Sequence, residues 1–336
     1  MPPDRDKRPT LKTISEISGF AVPTVSRALK DAPDIGRATK ERVRQIAHDI
    51  GYVPNRAGVR LKTGRTNVIS LVMSSEHDMM NHTARLISSV AGALRQTPYH
   101  MIVTPYFPDE DPMVPIRYIV ETGSADAVIL NQTQPQDPRI KYLMERRFPF
   151  ATHGRTDWCD KHPYFDFDNA AFATIAMQHL ISRGRLNLML IAPPAAQNYA
   201  REQIAAAQQV AQEHGVCLTV LPTATSDSNS DDLRQAVADY LTAHPETDAI
   251  LCASQTAAMA SVATLEQLGR HLGQDIDVLA KEAVQFLQLF RPGIITVAED
   301  VVQAGDFLAR AAIQAINQPD LPPMQGLEVP QASELG

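Results

Sequence analysis

Hydroxyl-bearing and cationic side chains are concentrated in one short segment near the start of the chain. Within residues 22–30 they alternate with apolar residues at helical spacing, so that the polar groups share one side of the pattern. The polar side consists of Thr24, Ser26, Arg27 and Lys30. Hydroxyls reach DNA phosphates, and an arginine contacts either phosphate or a guanine edge. Residues of these types at this spacing predict contact with DNA, provided that a helix carries them into a groove.

Three short helices are predicted around this segment. Thr10 can cap a first helix, which ends at Gly19, a residue able to adopt the left-handed turn. The second helix covers residues 22–30, and a third covers residues 37–50 before Gly51. Because the turn between the first two is tight, the pattern is that of a helix-turn-helix.

A basic segment follows the third predicted helix. After Tyr52, Pro54 can stop one element and Asn55 can cap the next, a stretch in which Leu61 lies among arginines and lysines. An apolar side chain among cations suits a wedge in the minor groove, where it opens a base step while its neighbours bind phosphate.

Three blocks of this region closely resemble the headpiece of the LacI/GalR family. They are LKTISEISG at residues 11–19, TVSRAL at 24–29 and GYVPNR at 51–56. The resemblance implies that the helix at 22–30 lies in the major groove, that residues 55–62 form a hinge helix on DNA, and that Leu61 intercalates. The predicted DNA contacts are Thr10, Val22, Pro23, Thr24, Ser26, Arg27, Lys30, Tyr52, Asn55, Arg56, Arg60 and Leu61.

The chain departs from the family pattern at three places. Ala21 stands where the family usually has a serine cap, a loss of typically ~1 kcal/mol that Pro23 offsets in part by fixing the backbone angle. Val22 and Pro23 replace the usual base-reading pair with side chains that are not polar, although Val22 can touch a thymine methyl. Gly58 makes the hinge helix harder to order without DNA. The operator sequence is therefore not predicted.

Charge is distributed unevenly along the 336 residues. Residues 1–66 contain fourteen Lys and Arg against seven Asp and Glu, a net of +7, so the rest must carry -14 to give the total of -7. A basic head on an acidic body is expected when only one end meets phosphate.

The cysteines and the hydropathy indicate the cellular compartment. Cys159, Cys217 and Cys252 share no metal-like spacing, and three widely separated cysteines favour reduced thiols over a disulfide framework. No apolar run approaches the length of a membrane span, and the N-terminus lacks a signal-peptide core. We expect a cytoplasmic protein without a metal or a cofactor.

Beyond residue 66, short apolar runs of strand length alternate with helical stretches. The runs are 68–73, 100–104, 127–130, 150–152, 188–192, 217–221, 249–253, 277–280 and 294–297. This alternation predicts parallel sheets covered by helices on both faces. So many strands favour two doubly wound subdomains with a cleft between them.

The body resembles the family's effector domain, which is itself similar to periplasmic sugar-binding proteins. The predicted fold is therefore an all-α helix-turn-helix headpiece joined to an α/β periplasmic-binding-protein-like effector domain. The headpiece covers 1–52, and the hinge and linker cover 53–66. The first subdomain is predicted at 67–165 and 295–318, the second at 166–294 and 319–330, and a disordered tail at 331–336.

Ligands in such folds bind at the carboxyl ends of strands, in the cleft. That rule and the resemblance nominate Ser74, Glu76, Asn131, His153, Arg155, Asp168, Arg201, Ser254, Gln255, Lys281 and Glu282. Asn131 and Arg201 match family positions that contact effector, and Glu282 matches the pocket aspartate. Arg201 has the alternative role of a surface ion pair, Glu282 that of a partner for Lys281, and Asp168 that of a helix cap.

Lys281 occupies a position where the family usually has an aromatic residue. A lysine there weakens sugar stacking and adds a positive charge. Together with Arg155 or Arg201, it leads to the hypothesis of a ligand that carries a carboxylate or a phosphate.

The sequence as a whole predicts a homodimeric transcription factor, a repressor, that binds a roughly palindromic double-stranded operator. A small effector (a sugar, sugar acid or sugar phosphate) would control its affinity. An enzyme on a doubly wound scaffold is the rival interpretation, but neither G-x-G-x-x-G nor a Walker loop occurs. A third interpretation, a binding protein linked to transport, is disfavoured because such a protein would have to be exported.

Overall fold

The computed structural model describes residues 9–53, 60, 64–75, 80–107 and 109–334. Contacts divide the chain into two compact units, Met1–Thr66 and Asn67–Gly336. The predicted hinge helix, apart from Arg60, lies outside the described residues. Four predicted site residues are outside them for the same reason, namely Asn55, Arg56, Leu61 and Glu76.

The first unit contains the three predicted helices, α1 (Leu11–Ser18), α2 (Val22–Leu29) and α3 (Arg37–Asp49). Thr10 caps α1 and Gly19 closes it with φ 78°, as predicted. No side chain caps α2, which has Pro23 in its first turn, so the predicted loss of the hydroxyl cap is confirmed.

A small apolar core holds the three helices together. Ile14 of α1, Val25 and Ala28 of α2, and Val43 and Ala47 of α3 are buried in it. These residues recur at helical spacing, so each helix buries one side and leaves the other to solvent.

The second unit contains two parallel sheets. The first has the strand order β11-β5-β4-β3-β1-β2 and the second the order β10-β9-β8-β6-β7. The strands are β1 (Val68–Ser74), β2 (His100–Tyr106), β3 (Ala127–Leu130), β4 (Phe150–His153), β5 (Tyr164–Phe167), β6 (Asn187–Ile191), β7 (Cys217–Val220), β8 (Ala249–Cys252), β9 (Asp277–Glu282), β10 (Ile295–Ala298) and β11 (Gln325–Glu328).

Helices connect the strands and cover both faces of each sheet. They are α4 (Met80–Ala93), α5 (Met113–Thr122), α6 (Pro138–Glu145), α7 (Asn169–Ser182), α8 (Asn198–His214), α9 (Ser230–Ala243), α10 (Gln255–Gln267), α11 (Leu287–Phe290) and α12 (Val301–Asn317). No helix in the described part of the chain is both long enough and apolar enough to cross a membrane.

Each sheet separates two apolar cores. Along β1, Ile69 and Leu71 belong to the core on one face, and Val68 and Val72 belong to the core on the other. Since successive side chains of a strand point to opposite faces, a strand buried on both sides must be apolar throughout. This is why the sequence shows continuous apolar runs instead of alternation.

Two strands belong to the opposite sheet from the one predicted. β10 pairs with β9 in the second sheet, with Ile295 opposite Leu279. β11 pairs with β5 in the first sheet, with Gln325 opposite Tyr164. The assignment of 295–298 to the first subdomain and of 325–328 to the second was therefore wrong. An apolar run shows that a strand is buried, but it does not show which sheet edge the strand joins.

Candidate functional sites

The outer side of α2 carries the polar groups predicted to meet DNA. The predicted contact residues of α2 and its C-cap that are exposed or partly exposed are Val22, Pro23, Thr24, Ser26, Arg27 and Lys30. Val25 and Ala28, on the same helix, are fully buried in the core of the first unit. The helix therefore turns its hydroxyls and cations outward, which is the arrangement that phosphates and base edges require.

Arg27 is paired but still accessible. Its guanidinium forms an ion pair with the carboxylate of Asp34, and 58% of the arginine side chain remains exposed. Exposed ion pairs are worth only ~0–1 kcal/mol. Arg27 can therefore exchange Asp34 for a DNA group at little cost.

Thr10 and Tyr52 have structural roles within the first unit. The hydroxyl of Thr10 accepts a hydrogen bond from the Thr13 N–H at 3.3 Å, as part of the α1 cap. Tyr52 packs against the apolar core, and burial raises its pKa. Arg60 is exposed. Contact of these three residues with DNA stays a prediction.

A cleft lies at the carboxyl ends of strands from both sheets of the second unit. It encloses about 840 Å³, part of which is open to solvent. Asn131 after β3 and His153 at the end of β4 line it from the first sheet. Ser254 after β8 and Lys281 on β9 line it from the second sheet. This is where a ligand binds in open α/β sheets.

Hydrogen bonds cross the cleft from one subdomain to the other. The Nε2 of Gln132 donates to Oδ2 of Asp227 at 3.3 Å. The backbone N–H of Asn198 donates to the Thr133 carbonyl at 2.8 Å. These contacts hold the two subdomains close together around the cleft.

Two ion pairs also join the subdomains. The Nη2 of Arg155 lies 2.8 Å from Oε2 of Glu202, and its Nε lies 2.8 Å from Oδ2 of Asp166. The Nη2 of Arg201 lies 2.8 Å from Oδ1 of Asp157. The positive charge of each arginine is therefore already matched by a carboxylate of the protein.

Lys281 is neutralised in the same way inside the cleft. Its Nζ lies 2.9 Å from Oε2 of Glu299 and 4.8 Å from the centre of the Phe167 ring. Burial acts to raise the pKa of Glu299, but Lys281 and His82 together hold it well below its usual value. Burial, helped by the neighbouring His82, lowers the pKa of His153 to about 3, so this imidazole is neutral at physiological pH.

Asp227 is a cleft carboxylate without a matching cation. It accepts hydrogen bonds from Ser226 at 2.8 Å and from Gln132, but among the described residues it forms no ion pair. Burial raises its pKa. Lys281 is offset by Glu299, and Asp166, which also lines the cleft, is paired with Arg155, so these contacts leave no unmatched cation for an anionic ligand.

Asn131 has the hydrogen-bonding potential that a ligand site requires. Its side chain is 2% exposed and lines the cleft. Both its Oδ1 and its Nδ2 are buried without a hydrogen-bond partner. Unpaired buried polar atoms cost free energy, and they are rare unless a ligand or water satisfies them.

The structure brings about half of the predicted effector residues to the cleft. Those that line it are Asn131, His153, Ser254, Gln255 and Lys281. Two of them also have structural partners, because Ser254 caps α10 and the Nε2 of Gln255 donates to the Val284 carbonyl at 2.6 Å.

Five other predicted effector residues do not line the cleft. Glu282 instead accepts the N–H groups of Phe286 and Leu287, both at 3.1 Å, just before α11. Asp168 caps α7, the alternative role predicted for it. Arg201 forms the ion pair with Asp157, also its alternative role.

The two remaining residues are close to the cleft but do not line it. Ser74 ends β1, and Arg155 follows the last residue of β4 by two positions. Arg155 is instead held between Asp166 and Glu202. It therefore holds Asp166, which does line the cleft, in place.

Sequence reasoning missed several residues that line the cleft. His82 lies at the start of α4, Phe167 ends β5, Asp227 follows β7 and Glu299 follows β10. For Asp227 and Glu299 the predicted runs at 217–221 and 294–297 offered a strand-end signal, whereas β5, which Phe167 ends, was not among the predicted strands. No local signal singles out His82, which meets Glu299 across 217 positions of sequence.

Two family models match the chain and together cover most of it. The model of periplasmic binding proteins and the sugar binding domain of the LacI family matches residues 67–317. The model of bacterial regulatory proteins of the lacI family matches residues 10–55. Among curated proteins, the HTH-type transcriptional regulator AglR of Rhizobium meliloti (strain 1021) is 29% identical over 93% of this chain and 89% of its own length.

Solved structures share the fold at low sequence identity. The lac repressor dimer bound to operator and the anti-inducer ONPF superimposes with a TM-score of 0.84 at 18% identity, covering 96% of this chain and 97% of that one. The complex of the transcriptional regulator CelR with cellobiose gives a TM-score of 0.69 at 23% identity, covering 96% of this chain and 98% of that one.

A helix-turn-helix unit followed by a two-sheet body of the periplasmic-binding-protein type defines a bacterial transcriptional regulator. The chain belongs to the LacI family of bacterial regulatory proteins. The family is made up of transcriptional regulators and not of enzymes.

Proposed function

We propose that this protein is a cytoplasmic transcriptional repressor that binds an operator through its first unit and a small effector in the cleft of its second. The observation that supports the proposal is that one LacI-family chain has both a polar outward side on α2 and a cleft between its two sheets. Effector binding would change operator affinity by a coupling free energy of about 1–3 kcal/mol.

The charges of the cleft support an uncharged polyhydroxylated effector, such as a neutral sugar. Lys281 is offset by Glu299, while Asp227 adds a negative charge that an anionic ligand would meet. Arg155 and Arg201 are both paired with carboxylates, so neither arginine is left to bind the acid or phosphate group of such an effector. Amides, hydroxyls and a carboxylate next to aromatic rings are the groups that orient a hydroxylated ligand.

A homodimer on a roughly palindromic operator is the expected assembly. Two hinge helices that meet in the minor groove require two half-sites related by the symmetry of the protein. The edge strand β2 and the neighbouring α5 support a body interface, because Ile102, Val103, Val114 and Tyr118 are exposed there. Exposed apolar side chains that form a contiguous patch mark association surfaces.

Replacing Arg27 by alanine should weaken operator binding roughly 5- to 150-fold, which corresponds to about 1–3 kcal/mol for a base-edge contact. The reason is that Arg27 is an exposed cation within α2, on the side predicted to face DNA. Fluorescence anisotropy with an operator fragment, selected from genomic DNA by gel shift, measures the change.

The matched control for this experiment is Arg310→Ala. Arg310 is also an exposed arginine with a single helical ion pair, 2.8 Å from Asp306, but it lies on α12 of the body. Its replacement should leave operator affinity unchanged. Equal affinities for Arg27→Ala and the unmodified protein would contradict the assignment of α2 as the recognition helix.

Replacing Asn131 by alanine should weaken ligand binding about tenfold without destabilising the protein. Its side chain forms no hydrogen bond within the described structure, so nothing is lost on truncation except its contact with the ligand. A thermal-shift screen of neutral sugars, sugar acids and sugar phosphates identifies the ligand class, since a ligand at 100 times its Kd stabilises by about 2.7 kcal/mol. We expect neutral sugars to give the shift.

Gln212→Ala is the control, because Gln212 is an exposed amide on α8 far along the helix from the cleft wall. It should keep the full ligand-induced shift, while Asn131→Ala should lose about tenfold in affinity, the worth of one hydrogen bond. A shift produced only by acids or phosphates would reject the uncharged ligand, and an unchanged shift in Asn131→Ala would reject Asn131 as a contact.

A further inference from the structure

Two histidines and a glutamate meet at one wall of the cleft. His82 near the start of α4 and His153 at the end of β4 belong to the first subdomain, whereas Glu299 lies in the crossover after β10. The Nε2 atoms of His82 and His153 lie 3.2 and 3.8 Å from the same oxygen, Oε1 of Glu299. The three side chains are 22%, 10% and 5% exposed, so the cluster is shielded from bulk water.

The spacing of these atoms suits a small metal ion. Two ligand atoms that each lie ~2.1 Å from a tetrahedral ion are separated by ~3.4 Å, close to the two measured distances. All three ligand atoms lie within 4.8 Å of one another. The imidazole rings are stacked, with centroids 5.1 Å apart and planes inclined by 21°, so both present an edge to the same oxygen.

A simpler role for Glu299 is to neutralise Lys281, and the geometry separates the two roles. Lys281 contacts Oε2 of Glu299 at 2.9 Å, while the imidazoles face Oε1. A lysine alone therefore explains one carboxylate oxygen and leaves the convergence of two histidines on the other.

We propose that His82, His153 and Glu299 bind a divalent transition-metal ion of the Zn²⁺ type at the wall of the effector cleft. Two histidines and one glutamate form a known zinc donor set, and three protein ligands leave one tetrahedral position for water or for an oxygen of the ligand. The ion would tie the first subdomain to the crossover from the second. Metal binding would not depend on DNA binding, so the two proposals can fail separately.

The test uses the untagged full-length protein, freed of metal with a chelator. Isothermal titration with ZnCl₂, and titration with CoCl₂ followed by visible absorption, should show one ion per chain. A tetrahedral Co²⁺ spectrum would report the nitrogen and oxygen ligands directly. His82→Gln and His153→Gln should each weaken Zn²⁺ binding at least about tenfold, no less than the loss of a supporting residue does.

His271→Gln is the matched control, because His271 is an exposed histidine that also faces a carboxylate, 3.0 Å from Asp275. The His271→Gln variant should bind Zn²⁺ with the same affinity as the unmodified protein. Lys281→Met should bind Zn²⁺ more tightly, since it removes a positive charge next to the ion. Absence of saturable binding, or binding that survives both histidine replacements unchanged, would overturn the proposal.

Discussion

Arg139→Met is expected to destabilise the body by about 3–5 kcal/mol, the usual cost of removing one partner of a buried ion pair. Arg139 is 3% exposed and Asp137 is fully buried, and the two are joined at 2.7 and 3.0 Å. The same guanidinium donates to the carbonyls of Asn131 at 3.2 Å and of Gln132 at 2.9 Å. Its loss leaves a buried carboxylate unpaired and releases the backbone that positions two cleft residues. Urea unfolding followed by circular dichroism measures the change.

The double variant Asp137→Asn/Arg139→Met tests this explanation. An asparagine still caps α6 but carries no charge, so the double variant should recover part of the stability that the single variant loses. A single replacement that costs less than about 1 kcal/mol, the value typical of an ordinary mutation, would contradict the role of the buried pair.

The effect of Arg139→Met should also depend on pH. Burial by itself would raise the pKa of Asp137, but hydrogen bonds and charge from Arg139 outweigh burial and hold the pKa below its usual value. A carboxyl with a lowered folded pKa contributes stability above the ordinary value of about 4 and loses it as pH falls through the folded pKa. The difference between the unmodified protein and the variant should therefore be largest near neutral pH and should shrink below about pH 4.

Gly305→Ala is expected to lower stability by about 2–3 kcal/mol through overpacking. Gly305 lies on α12 where this helix crosses α4. A Cβ added there would overlap the Cβ and the Oγ of Ser89 and would lie 2.9 Å from the backbone nitrogen of Val90. Because one of these atoms is backbone, the helices must move apart, and thermal unfolding of the variant should show the loss.

Gly92→Ala is the matched control for this prediction. Gly92 is also a helical glycine, on α4, and nothing lies within 4 Å of a Cβ added there. The same substitution should raise stability by about 0.5–1 kcal/mol, because alanine is the better helix former. Loss of stability in both variants, or in neither, would show that close helix contact at Gly305 is not the cause.

The elements of the fold could be predicted because their signals are local. The strand β1 is buried on both faces, and the apolar run at 68–73 shows this without further context. The outer side of α2 follows from helical spacing in the same way. Pairing of β11 with β5 was missed, because strand order depends on contacts between segments about 160 residues apart, for which one sequence carries no signal.

The cleft was predictable to the extent that its residues follow recognisable strands. Asn131, His153 and Lys281 were found by that rule and do line the cleft. Glu282 was wrongly predicted to line the cleft, because successive side chains of a strand point to opposite faces. Lys281 of β9 faces the cleft, whereas Glu282 turns toward α11.

The path of the chain through the two sheets has a consequence for synthesis. The second subdomain is continuous, from α7 to β10, whereas the first needs α12 and β11 from the far end of the sequence to complete its core and its sheet. Chains emerge from the ribosome N-terminus first, and each compact part folds once all of it is available. We therefore expect the second subdomain to fold before the first. Until α12 has been synthesised, the apolar faces of β1 and α4 that it covers remain exposed. During this interval a nascent chain is most in need of a chaperone.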